Sequence, residues 1–95
     1  MNVEFDPGKD AANLQKHGVS LRFGARVLSD GDVLIVPTLR AGDEEEERFK
    51  AINEVDGDLW TAIHVYRGDK VRFISVRRSN AGEQRAYDSD PGGRF

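Results

Sequence analysis

The feature that most constrains this chain is a run of three β-like segments, separated by two tight turns, in its second half. Residues 47–55 ("ERFKAINEV"), 59–66 ("LWTAIHVY") and 71–77 ("VRFISVR") are rich in the β-branched and aromatic residues that favour strands. Asp56-Gly57 lies between the first two, and an Asp-Gly pair flanked by β-like runs is a strong hairpin signal. Arg67-Gly68-Asp69 supplies the second turn. Strands joined this closely must pair antiparallel, because a parallel crossover needs a dozen or more residues.

The first half has a different period. Residues 3–5 read as a short strand, and Asp6-Pro7 as an N-cap followed by proline at the first helical position. The helix continues through Ala11, Ala12, Leu14 and Gln15 until Gly18 stops it. Ser20 is a second candidate N-cap, with Leu21, Gly24, Ala25 and Leu28 at helical spacing behind it. A turn at 29–32 leads to a short apolar strand, 33–36, closed by Pro37, and 40–45 should be an exposed loop. Ser79 or Asn80 caps a last helix through Glu83, Gln84 and Tyr87. The expected fold is α+β: an antiparallel meander sheet with helices mainly on one face. It forms one domain over residues 1–90 with a loose tail at 91–95, and the sheet's other face stays open for binding.

Ninety-five residues suffice for one core with little to spare. There is no cysteine, so neither a disulfide framework nor a thiolate zinc site supports the fold. No apolar run approaches the roughly 20 residues that span a bilayer, and residues 1–6 lack a signal peptide's basic flank and apolar stretch. The expectation is a cytoplasmic protein without a membrane partner. The net charge of −3 is unevenly spread. Residues 1–59 carry seven Lys/Arg against thirteen Asp/Glu, and residues 60–95 carry seven against four. Within 60–78 five basic residues face one acidic, which points to a local basic surface on an acidic protein.

No metal-ligand cluster, phosphate-cradling glycine loop or Gly-x-Ser-x-Gly nucleophile turn is present, so neither a metal nor a cofactor is expected. What remains is a set of cations and a few titratable groups. Arg72, Arg77 and Arg78 decorate one strand and its end, with Arg67 and Lys70 at the turn before it. His64 and Tyr66 lie on the neighbouring strand, and Glu47 and Arg48 open the strand before that. Arginine forks on an open sheet suit a phosphate backbone, although a solvated sheet face accounts for the same pattern. Strict alternation places Arg72 and Arg77 on opposite faces. They share one only if the strand bulges or ends first; otherwise one of them grips a helix or a protein partner. Lys16-His17-Gly18 has a local explanation as well, a basic last turn complementing the helix dipole before a glycine cap.

The phrases "EFDPGKDAANLQKHGVS", "EERFKAI" and "GDKVRFISVRRSNAGEQRAY" resemble, in order and spacing, the BrnT toxins of bacterial type II toxin–antitoxin pairs. Leu21 departs from the aromatic often found after the first phrase, and 30–46 matches only loosely. The resemblance implies a RelE-like ribonuclease that arrests translation. It also implies a BrnA-like antitoxin, a ribbon-helix-helix protein through which alone the pair would contact operator DNA. RNA supplies its own 2′-OH nucleophile, so metal-free cleavage needs a base, phosphate-stabilising cations and an acid. Arg72 and Arg77 are the first choice for the phosphate, then Arg48 and Lys16, with Glu47 or His17 as base. Arg67, Lys70, Arg78 and His64 would help to hold RNA. The alternative is a non-catalytic module that binds protein or nucleic acid with the same basic sheet.

Overall fold

The computed structural model describes residues 1–38 and 47–89. The loop expected at 40–45 and the tail at 91–95 lie outside the described residues. The elements are β1 (Asn2–Glu4), α1 (Pro7–His17), a 3-10 turn (Leu21–Phe23), α2 (Gly24–Ser29), β2 (Leu34–Pro37), β3 (Phe49–Val55), β4 (Asp58–Arg67), β5 (Lys70–Arg78) and α3 (Ala81–Asp88). The five strands form one sheet in the order β1-β5-β4-β3-β2. Among the described residues no helix is long and apolar enough to cross a membrane.

Strands β3, β4 and β5 pair antiparallel, as their two short turns require, and β2 pairs antiparallel with β3. Asp56 and Gly57 both take positive φ, 53° and 88°, the geometry that matches the twist of a two-residue hairpin. Arg26 of α2 donates to both carboxylate oxygens of Asp56, at 2.9 and 3.2 Å, and ties this turn to the helical layer. The purely antiparallel expectation is corrected at the edge: β1 pairs parallel with β5, Val3 opposite Val71. No short turn dictates the direction of that pair, because its partners stand 68 residues apart in the chain.

Helix α1 starts and stops on caps visible in the sequence, and the 3-10 turn and α3 start on one. Asp6 accepts the Lys9 N–H at 2.9 Å, and Gly18, left-handed at φ 78°, donates to the Leu14 carbonyl. Ser20 caps the 3-10 turn, and Asn80 with Glu83 forms a reciprocal capping box on α3. One core lies between the sheet and the layer of the 3-10 turn and α2: Leu21 and Val27 against Ala51, Val55, Trp60, Ala62, Val71, Phe73 and Val76. Each Val, Leu or Phe fully withdrawn from water there contributes about 1.5–3 kcal/mol. Gly24 lies flat on the Phe73 ring, where a Cβ would come within 2.6 Å of ring carbons.

Helix α1 is fastened by polar bonds. Where β1 ends, Asn13, 6% exposed, completes the edge of β5. Its amide accepts the Val76 N–H at 3.0 Å and donates to the Val76 and Val19 carbonyls, each at 2.8 Å. Asp10 accepts the Leu21 N–H at 2.7 Å. The helices are therefore spread around the sheet, with α1 along an edge. The second face is not open throughout, because α3 reaches it through Glu83, which bonds Thr61 and Arg77 there.

Candidate functional site

The site is organised by an irregularity in β5. Ile63 pairs with Ser75 and His64 with Phe73, so Ile74 is an extra residue without a partner on β4. Arg72 then stands opposite Val65, and Arg77 opposite Thr61. Val65 and Thr61 are four residues apart on a regular strand, so the two arginines share a face despite their odd spacing. Ser75 lies between them on that face, opposite Ile63. The separation along the strand is roughly 13 Å, too far for both guanidinium groups to grip one phosphate.

Each of these arginines has a carboxylate. Arg72 Nη1 lies 3.4 Å from Glu4 Oε1, a long contact between side chains 27% and 29% exposed. Arg77 is held far more firmly, donating through both Nη atoms to Glu83 at 2.7 and 2.8 Å. Glu83 also accepts from Thr61 Oγ1 at 2.9 Å and the Asn80 N–H at 2.9 Å, and Lys50 Nζ lies 3.1 Å away. Burial alone would raise the Glu83 carboxyl, but these donors, Arg77 foremost, outweigh it and hold it at about 2. The same contact raises the Arg77 guanidinium above its ordinary value.

Beside the bulge, α1 and β5 enclose a groove of about 210 Å³ lined by Lys9, Ala12, Asn13, Lys16, His17, Ile74 and Ser75. Among the described residues no carboxylate pairs with Lys9, Lys16 or His17, in contrast to Arg72 and Arg77. The capped last turn of α1 thus delivers a cation and an imidazole to the wall opposite Ser75. Lys9, Ile74 and Ser75 join this site only in three dimensions. Only the one-turn spacing of Lys9, Ala12, Asn13 and Lys16 on α1 could have linked part of the wall in advance.

The other candidates are dispersed. Arg67 and Lys70 face each other at the β4–β5 turn, with Arg67 3.8 Å from Glu4. Arg78 pairs with Trp60 across the ladder, lies 4.9 Å over its ring and meets Asp58 at 3.1 Å. By register that is the face opposite Arg72 and Arg77. Glu47 is exposed and Arg48 half-buried just before β3, where the Arg48 carbonyl accepts the Thr38 N–H at 2.8 Å. His64 is wholly buried, so its ring has no surface to offer an RNA backbone. Among the described residues no group of three or more His, Cys, Asp or Glu is arranged to hold a metal ion.

The class that fold and site define is a small α+β domain with a cation-lined sheet face and an imidazole at its rim. Residues 5–83 match the family model of BrnT, the ribonuclease toxin of type II toxin–antitoxin systems, and the chain belongs to that family. Membership makes it a ribonuclease toxin whose partner is a protein antitoxin. No curated protein matches the chain.

Proposed function

We propose that this chain is a metal-independent endoribonuclease of RelE-like fold that arrests translation in the cytoplasm. A BrnA-like antitoxin with a ribbon-helix-helix domain neutralises it and carries the pair to operator DNA. The observation that supports the cleavage site is the β5 bulge, which sets Arg72 and Ser75 on one face beside the groove of Lys9, Lys16 and His17.

In this reading the substrate's 2′-OH attacks the adjacent phosphorus and a bond forms from the 2′-oxygen. The bond from phosphorus to the 5′-oxygen breaks, and that oxygen leaves with a proton taken from water. His17, half-exposed on the groove, takes the 2′-OH proton. Lys16 and Lys9 stabilise the charge that grows on the phosphate oxygens, and Arg72 joins them by exchanging its long Glu4 contact for phosphate. Arg77 is occupied by Glu83 and holds α3 rather than substrate. Arg67 and Lys70 extend the basic path along the substrate.

The test is cleavage of labelled RNA by purified protein in EDTA. His17→Ala should slow it about 10²–10⁴-fold, the usual worth of general acid–base help. Arg72→Ala should reduce both cleavage and growth arrest while the protein stays folded. Undiminished cleavage by His17→Ala and Arg72→Ala would remove the assigned roles. The carboxylates on both sheet arginines favour one rival, a module that holds RNA or protein without cutting. Binding without cleavage by the wild type decides for it.

A further inference from the structure

The edge strand β1 is fixed to the sheet without help from the Glu4 side chain. Its backbone pairs with β5 from Asn2 to Glu4, and Asn2 Nδ2 donates to Asp69 Oδ2 in the β4–β5 turn at 3.1 Å. What the Glu4 carboxylate touches instead is set by register. Glu4 stands opposite Arg72, Arg72 opposite Val65, and Arg67 lies two residues past Val65 on β4. Alternation therefore puts Glu4, Arg72 and Arg67 on one face of the sheet, with Lys70 opposite Arg67 on that same face.

Arg72 Nη1 lies 3.4 Å from Glu4 Oε1, and Arg67 Nη1 lies 3.8 Å from the same oxygen. Guanidinium groups from two strands thus converge on one point, which Arg72 and Arg77 are too far apart to do. A single carboxylate oxygen serves neither well. Both contacts are longer than the about 2.7–2.9 Å of a charge-assisted hydrogen bond, and partly exposed ion pairs of this kind are weak. A phosphodiester carries two charge-sharing oxygens on one phosphorus, so it can meet one arginine fork on each. The chemistry on this face selects RNA as the source of that phosphate. The chain belongs to a ribonuclease family, and Arg72 stands two residue steps of β4, about 7 Å, from Ser75 beside the α1 groove.

We infer that Glu4 fills an RNA phosphate subsite in the free protein: Arg67 and Arg72 converge there, and a substrate phosphate displaces the carboxylate to bind both. This rests on the cleavage site proposed above, which already turns Arg72 to the substrate. It adds a second arginine on the same phosphate and an anion that competes for the pair. Glu4 is a positioning residue: it gathers two like charges before RNA arrives and lowers RNA affinity in doing so. Its removal therefore has the opposite sign to the loss of a ligand.

The probe is 2′-O-methyl hexa-adenylate, which has no free 2′-OH and is not cut. Binding is read by fluorescence anisotropy, fold by thermal melting, and cleavage of ordinary RNA in EDTA alongside. Glu4→Gln keeps the size of the side chain without its charge and should bind the probe roughly two- to fivefold more tightly. In cleavage its KM should fall while kcat does not rise, because the arginines are no longer gathered in advance. The gain should vanish when Arg67→Ala and Arg72→Ala are also present. Glu54→Gln is the charge control: Glu54 is exposed opposite Leu59, six residues from Val65 and about 20 Å along β4, beyond the reach of a screened charge. It should leave affinity unchanged. Unchanged or weaker binding in Glu4→Gln, beside normal wild-type cleavage, overturns the subsite and leaves the ribonuclease reading intact. An equal gain in Glu54→Gln, or a gain that survives the loss of both arginines, overturns it as a general charge effect. A gain only in neutralisation by the antitoxin overturns it too and makes this face a protein contact. Absence of wild-type cleavage removes the ribonuclease reading, and a gain in probe binding that needs both arginines then upholds the subsite by itself.

Discussion

Glu83 is 4% exposed and receives Arg77, Lys50, Thr61 and the Asn80 N–H on one carboxylate. Taking it from water is unfavourable until those donors are assembled, and then removing it strands two partly buried cations. Glu83→Gln should therefore cost about 2–3 kcal/mol, the upper range for hydrogen bonds to a charged group. Urea denaturation at neutral pH measures it, and a change below about 0.5 kcal/mol, the noise of an ordinary surface substitution, would mean the network is idle. Arg77 reads in the sequence as a phosphate ligand. Its acceptor lies six residues on, past a strand end and a helix cap, and no spacing rule joins the two. Alternation offered a grip on a helix or a protein partner for one of the two arginines only if they fell on opposite faces. They share a face, and Arg77 grips α3 nonetheless, because the outcome depends on where α3 lands.

Among the elements, those set by neighbours in sequence were the legible ones. Asp6-Pro7, Gly18, Ser20, Asn80 and Asp56-Gly57 mark starts, stops and a turn through local backbone chemistry, and the structure has each in that role. The parallel partner of β1, the landing of α3 on the second face and the β5 bulge are settled by distant contacts. The bulge also decides the site, since it sets both the faces of the arginines and the wall of the α1 groove. Deleting Ile74 should give a regular β5 that keeps Arg72 opposite Val65 and Arg77 opposite Thr61, because a slipped register would turn core residues to solvent. The expected protein folds and melts cooperatively, but it has lost one groove wall and cuts RNA at least about tenfold more slowly. Full activity in this variant would separate the bulge from the chemistry.

At the scale of the whole molecule, an acidic protein concentrates cations along β5 and the rim of α1 and buries two titratable groups to hold that arrangement together. Both make the fold sensitive to acid, in two separate ranges. His64 has its pKa lowered by burial from the ordinary 6.5, so the unfolded chain takes up a proton that the folded chain refuses. Stability is therefore full above about pH 6.5 and falls as the pH drops through the window between the two values. Glu83 lies at about 2 instead of 4.5, so its contribution is complete above about pH 4.5 and disappears towards pH 2. Urea midpoints measured from pH 8 to pH 3 should fall in two stages, the first below about 6.5 and the second below about 4.5. His64→Leu should remove the first stage alone, and Glu83→Gln should flatten the second. Midpoints that stay level between pH 6.5 and 5 in the wild type, or a first stage that survives in His64→Leu, would show that the His64 imidazole is not kept neutral by the fold.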